Sequence, residues 1–130
     1  MEIHGDGQQT RTFTYVSDTV DGFVRALRTP ASRGEVINIG GTETRTILEI
    51  AAAIQDGLGI PQPLRARFIP YESLPGNYQD VRHRVPDTTK ARALLGFDVS
   101  VTLSEGLSQT LAWHWAEREA VASTQRVVAR

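Results

Sequence analysis

Short apolar runs alternate along this chain with polar, glycine-rich or proline-rich breaks, and that rhythm predicts a mixed set of small elements. Glu2 to His4 reads as the end of a strand, closed by the turn Gly5-Asp6-Gly7, where glycine adopts positive φ at little cost. Phe13 to Val16 is short, aromatic and β-branched, and predicts a second strand. Asp18 is placed to cap a helix that carries Val20, Phe23, Val24 and Leu27 at the i, i+3, i+4 and i+7 positions of an inward face. Pro30 and Gly34 break that helix, and Val36 to Ile39 predicts another apolar strand, ended by Gly40-Gly41.

The second half continues in the same manner. Thr46-Ile47-Leu48-Glu49 has the form of a capping box, opening a helix with Ile47, Ile50, Ala51, Ile54 and Leu58 inward; Gly59 and Pro61 mark its end. Ala66 and Phe68 alternate with Arg65 and Arg67, as in a half-buried or edge strand. Pro70 to Asp80 has no period and reads as a loop. Asp87 is placed to cap a short helix that stops at Gly96. Thr102-Leu103-Ser104-Glu105 is a second capping box, followed by Leu103, Leu107, Leu111 and Trp115 at fourfold spacing. The stripe ends at about Glu119, so residues 1–118 are expected to form one domain and 119–130 a frayed tail. The expected fold class is a small α/β (α+β) lobe, short strands covered by helices.

Composition narrows the function. A chain of 130 residues suits one domain with a core of its own. The net charge of -1 argues against nucleic acid, whose binding needs a basic excess. There is no cysteine, hence no disulfide frame and no thiolate zinc site. No apolar run approaches a membrane span, and a cytoplasmic location is expected. No G-x-G-x-x-G follows a strand, so a dinucleotide site is not encoded, and a complete Rossmann domain is not expected.

Arginines carry the candidate chemistry. Arg11 follows a polar run and precedes the expected strand, so its base is fixed while its head is free to grip a phosphate bidentately; spacing alone leaves a plain surface arginine equally open. In "QDVRHRVPD", Gln79 to Asp87, Arg82 and Arg84 are two apart and share a face of an extended segment, beside Asp80. Such a pair suits a diphosphate with an adjacent sugar hydroxyl, or else a solvated edge strand. His4, His83 and His114 share no metal spacing. Tyr15 reads as a strand tyrosine with a packing role rather than as a substrate contact.

Taken in order, "GDGQQTRTFTYVSD", "GEVINIGG", "TILEIAAAI", "DVRHRVPDTTKARALLGF" and "TLSEGLSQTLAW" resemble the extended short-chain dehydrogenase/reductases, the NAD-dependent epimerases and dehydratases of nucleotide sugars. The resemblance runs from about Ile3 to Trp115 and implies the substrate-binding C-terminal part of such an enzyme. It implies NAD for the full-length enzyme, held by a Rossmann domain upstream or on another chain, and a Tyr-x-x-x-Lys pair that this sequence does not contain. The chain alone is therefore expected to hold no catalytic residue, no cofactor and no metal, and to contribute binding of a nucleotide-diphosphate sugar. A stand-alone nucleotide-sugar or anion-binding module without turnover is the alternative.

Carried over by motif, Arg11 and Arg82 would hold the diphosphate from two sides and Asp80 would accept from a ribose hydroxyl. Asn38 and the Tyr15/Asp18 pair would be structural. Arg84 stands where many epimerases have serine, Thr12 where aspartate is usual and Ser17 where a second acid is common. Asn77 and Gln79 stand in place of an arginine and a glycine. Arg84 therefore either joins the other two arginines or supplies the phosphate-binding cation that Asn77 does not. A homo-oligomer is a further possibility that the resemblance brings.

Overall fold

The computed structural model describes residues 1–76 and 80–128, with side chains as far as Arg118. Among them are five short strands: β1 (Glu2–His4), β2 (Thr10–Thr12), β3 (Thr44–Thr46), β4 (Arg67–Ile69) and β5 (His83–Arg84). Four α-helices accompany them: α1 (Val16–Arg28), α2 (Ile47–Gly57), α3 (Thr89–Leu95) and α4 (Leu103–Val128). β1 pairs with β4 in parallel, while β2 is the centre of a second sheet, antiparallel to β3 and parallel to β5. The chain is thus a small α/β lobe, as its pattern predicts.

Local signals set the helix ends. Both capping boxes form: the Thr46 hydroxyl accepts from the Glu49 N–H while Glu49 takes the Thr46 N–H. Thr102 and Glu105 do the same at the start of α4. Asp87 accepts from the Thr89 N–H at 2.9 Å and so caps α3 from one position outside its N-cap, Thr88; the helix ends at Gly96. The boundary expected between lobe and tail, at 118/119, falls where the described side chains end, and the helical backbone runs on to Val128.

Three expectations are corrected. The second strand is Thr10–Thr12 and not Phe13 to Val16, because the backbone partners on β3 and β5 lie opposite the threonines. Thr14 instead accepts the Gly41 N–H through its hydroxyl, and Tyr15 is the N-cap of α1, its ring against Gly106 of α4. Val36 to Ile39 joins no ladder among the described residues. Its Ile37 and Ile39 pack on the core formed by Ala91, Leu95 and Phe97, and Asn38 donates to the Asp87 carbonyl at 3.0 Å, the structural role expected of it.

The third correction concerns α1. Its apolar stripe faces outward: Val20 is 53% exposed, Phe23 60% and Leu27 88%. The buried positions are Asp18 and Gly22, the polar and the small one. Asp18 is not the N-cap; its carboxylate reaches across to the segment before α4. Gly22 lets α1 approach Ile39 and Phe97 so closely that a Cβ there would overlap the Ile39 side chain. Polar anchoring and close approach therefore orient the helix, and its hydrophobic period does not.

Gly22→Ala tests this. Alanine raises helix propensity by about 1 kcal/mol, whereas overpacking against a β-branched neighbour costs about 1–3 kcal/mol. We expect net destabilisation and a fall in Tm of about 4 °C, read by thermal circular dichroism. A rise in Tm would mean that the α1 contact yields freely.

Candidate functional site

Around β2 the sheet brings three arginines into one row. Arg11 sits opposite Arg45 of β3 on one side and Arg84 of β5 on the other. Directly opposed residues share a face, so three arginine side chains leave one face there from Cα positions about 5 Å apart between neighbouring strands. Unrelieved, that row would be destabilising. Carboxylates relieve two of its members: Arg45 pairs with Glu43 at 2.6 Å, and Arg11 with Asp80 at 2.5 Å. Arg84 is exposed, and its side chain makes no hydrogen bond or ion pair among the described residues.

Arg11 is held more firmly than an ordinary surface arginine. Its Nη1 donates to the Thr10 carbonyl at 2.7 Å and to the Val81 carbonyl at 2.8 Å, and its Nη2 to Asp80. Side-chain exposure is only 19% for Arg11 and 10% for Asp80. Of five guanidinium N–H donors, three are used. Nε–H and one Nη2–H have no partner among the described residues.

Asp80 accepts at both oxygens, from Arg11 at Oδ1 and from the Tyr71 hydroxyl at Oδ2, the latter at 2.8 Å. Burial pushes its pKa up. The Tyr71 hydrogen bond, the Arg11 charge and the Val81 N–H outweigh burial and hold the carboxyl below its ordinary value, so it is ionised at neutral pH.

Arg82 lies one residue beyond the Val81 carbonyl that Arg11 grips, and its own carbonyl accepts from the Thr10 N–H at 2.9 Å. Its guanidinium goes elsewhere, to both oxygens of Asp6 at 2.9 and 2.8 Å. That pair is exposed, and the Gln8 N–H, ahead of Arg82, keeps the Asp6 carboxyl below its usual range. The structure thus brings Arg11, Asp80 and Arg84 together at neighbouring backbone positions and gives Arg82 a separate carboxylate. Asn77 and Gln79 lie outside the described residues.

Tyr71 is the participant that sequence reasoning missed. It stands in a proline-flanked loop without period, and no motif includes it. A cavity of about 810 Å³ between α2 and α4 takes in Arg45 but none of Arg11, Asp80, Arg82 and Arg84. Among the described residues no three histidine or carboxylate side chains gather as for a metal ion, and no helix is long and apolar enough to cross a membrane.

The glycine turn after β1 does not have the form of a dinucleotide cradle. After β1 the glycine turn leads into another strand rather than a helix N-terminus, so no dipole is aimed at a pyrophosphate. Nor is the turn an open cradle. A Cβ on Gly5 would meet the Tyr71 ring, and one on Gly7 would meet Leu48 and Ile3.

Known proteins share this arrangement of elements. The chain is 34% identical over 112 residues to the UDP-N-acetyl-alpha-D-glucosaminuronate decarboxylase of Bacillus cytotoxicus, covering 85% of this chain and 34% of that protein. It resembles the crystal structure of UDP-glucuronic acid 4-epimerase from Bacillus cereus in complex with UDP-glucuronic acid and NAD. There the TM-score is 0.69 at 40% identity, over 82% of this chain and 32% of the other. With the UDP-glucose 4-epimerase of Thermotoga maritima, solved with UDP-glucose, the TM-score is 0.76 at 28% identity, over 90% and 35% of the two chains. The chain spans about a third of the length of these relatives. Residues 1–110 match the family model described as GDP-mannose 4,6 dehydratase, and the chain accordingly belongs to that family, within the NAD-dependent extended short-chain dehydrogenase/reductases that its motifs resemble.

Proposed function

We propose that this chain is the nucleotide-sugar-binding portion of an NAD-dependent epimerase, dehydratase or decarboxylase, and that the Arg11–Arg84 face of the β2 sheet receives the diphosphate. The observation that carries this reading is a guanidinium fixed by three hydrogen bonds with two N–H donors left over, in register with an arginine whose side chain has no partner among the described residues. A diphosphate carries charge on both phosphoryl groups, so two adjacent cations match it better than one. Asp80 retains acceptor capacity beyond its two bonds and serves a ribose hydroxyl. Arg82 is an outer contact, released from the exposed Asp6 when a phosphate arrives.

In this reading NAD and the groups that oxidise the sugar are held by other residues of a longer polypeptide or by another chain. What residues 1–130 supply is binding energy from the remote nucleotide, which orients a distant reacting carbon without touching it. The outward stripe of α1 is the face that meets the NAD-holding part. Val16, Val20, Phe23 and Leu27 recur at i, i+4, i+7 and i+11 and are all exposed.

Titration of the 130-residue chain with UDP tests the proposal. Saturable binding is expected. Arg84→Ala weakens it about tenfold, the worth of one charge-assisted contact, and Arg33→Ala, on the turn after α1, leaves it unchanged. Absence of UDP binding, or equal losses in the Arg84 and Arg33 variants, would overturn it.

A further inference from the structure

Tyr71 links the glycine turn to the arginine that follows it. β1 and β4 pair through His4 and Ile69, and the Gly5 N–H donates to the Ile69 carbonyl at 2.8 Å. Two residues on, the single turn Tyr71–Ser73 folds the tyrosine back over Gly5. A Cβ on Gly5 would stand 2.6 Å from ring atoms Cε2 and Cζ and 2.7 Å from the hydroxyl oxygen. The ring therefore occupies the space a side chain would fill, and any other residue at position 5 displaces it. From that seat the hydroxyl donates to Asp80 Oδ2, and Asp80 Oδ1 accepts from Arg11.

The geometry has a consequence for Arg11. A carboxylate facing a guanidinium tends to take two parallel N–H bonds, one at each oxygen. With Oδ2 engaged by Tyr71, Asp80 reaches Arg11 through Oδ1 alone. The internal pair thereby takes one guanidinium N–H instead of two. Immobilising a long side chain in advance also removes an ordering cost that a ligand would otherwise meet.

We infer that Tyr71 is a positioning residue: seated on Gly5, it holds Asp80 so that Arg11 is fixed with its Nε–H and one Nη2–H left for a phosphate. The assignment of the phosphate rests on the reading of Arg11 proposed above; the positioning itself does not.

The full 130-residue chain serves for both questions. ¹⁵N relaxation of the arginine Nε–H groups in the ligand-free protein reads the positioning directly. In Tyr71→Phe, which keeps the ring but loses the hydroxyl, the order of Arg11 Nε–H falls and that of Arg82 is unchanged. Gly5→Ala, which unseats the ring, has the same effect. Titration with UDP and with uridine reads the consequence. Tyr71→Phe weakens UDP about tenfold and leaves uridine, which lacks phosphates, unaffected; in an Arg11→Met background it has no further effect on UDP. Unchanged Arg11 order in both variants overturns the inference, as does an equal loss for UDP and uridine, which would give Tyr71 a structural or nucleoside role instead. If the wild-type chain ignores UDP, the diphosphate reading fails, and the relaxation data still decide whether Tyr71 positions Arg11.

Discussion

Asp18→Ala lowers the stability of the chain by about 3 kcal/mol, the loss expected when a buried carboxylate that accepts several hydrogen bonds is removed. Asp18 is 4% exposed and ties the first turn of α1 to the segment before α4. Its Oδ2 accepts from the Ser100 and Val101 N–H groups at 3.1 and 3.0 Å, and its Oδ1 from the Ser100 hydroxyl at 2.7 Å. Alanine leaves these donors without their acceptor and frees the contact that holds α1 in its rotated setting. Asn retains one acceptor oxygen and costs less. Urea unfolding at pH 7 measures both variants, and a wild-type midpoint for Asp18→Ala would refute the assignment.

The pH dependence follows from the same contacts. Burial raises the Asp18 pKa, but the Ser100 hydroxyl and the Val101 and Ser100 N–H groups outweigh it and hold the carboxyl below its ordinary 3.8. A folded-state value below the unfolded one means the stabilisation is fully present above about pH 4 and is lost as pH falls through the folded value. Asp80 and the surface carboxyls of Asp6, Glu49, Asp87, Asp98 and Glu105 are shifted the same way, so the whole chain is acid-sensitive. The difference between wild type and Asp18→Asn isolates one of them, and it should shrink below about pH 4.

What the sequence disclosed was what is local. The capping boxes at Thr46 and Thr102 formed as written, because a box is completed within one helical turn and needs no knowledge of the rest of the chain. Gly96 closed α3 for the same reason. The orientation of α1 was illegible because its anchor, Asp18, finds its partners 82 and 83 positions away. Its apolar stripe pointed the expectation the wrong way, since hydrophobic period reports what a helix can bury and not which cover lies within reach. The strand at Thr10–Thr12 was misplaced toward Phe13 through the same gap: threonines beside arginines look like loop until the two flanking strands are known.

The contacts among the candidate residues were not legible in the sequence. Motifs named Arg11, Asp80, Arg82 and Arg84. They treated Arg11 and Asp80 as separate ligand contacts, whereas the structure bonds them to each other. Arg11 and Arg82 were expected to face a single anion; without a ligand each rests on its own carboxylate. Tyr71 carried no signal at all, because its role depends on Gly5, far back in the chain, having no side chain.

Removing the Arg11 guanidinium should separate two roles of that residue. In Arg11→Met the half-buried Asp80 loses its charged partner while keeping Tyr71, and breaking such a partly buried pair costs about 2 kcal/mol of stability, less than the roughly 3–5 kcal/mol of a fully buried one. The two remaining N–H donors disappear too, and UDP affinity falls about a hundredfold, the worth of two donors on a charged oxygen pair. Adding Asp80→Asn removes the stranded charge, so the double variant regains most of its stability as judged by urea midpoint. Its UDP affinity stays low, because nothing restores a cation to the sheet face. Arg11→Lys should fall between: it keeps the charge but cannot make the three anchoring bonds and keep donors for a ligand at once. Stability and affinity recovering together in the double variant would mean that Arg11 serves the fold alone, and wild-type UDP affinity in Arg11→Met would remove it from the site.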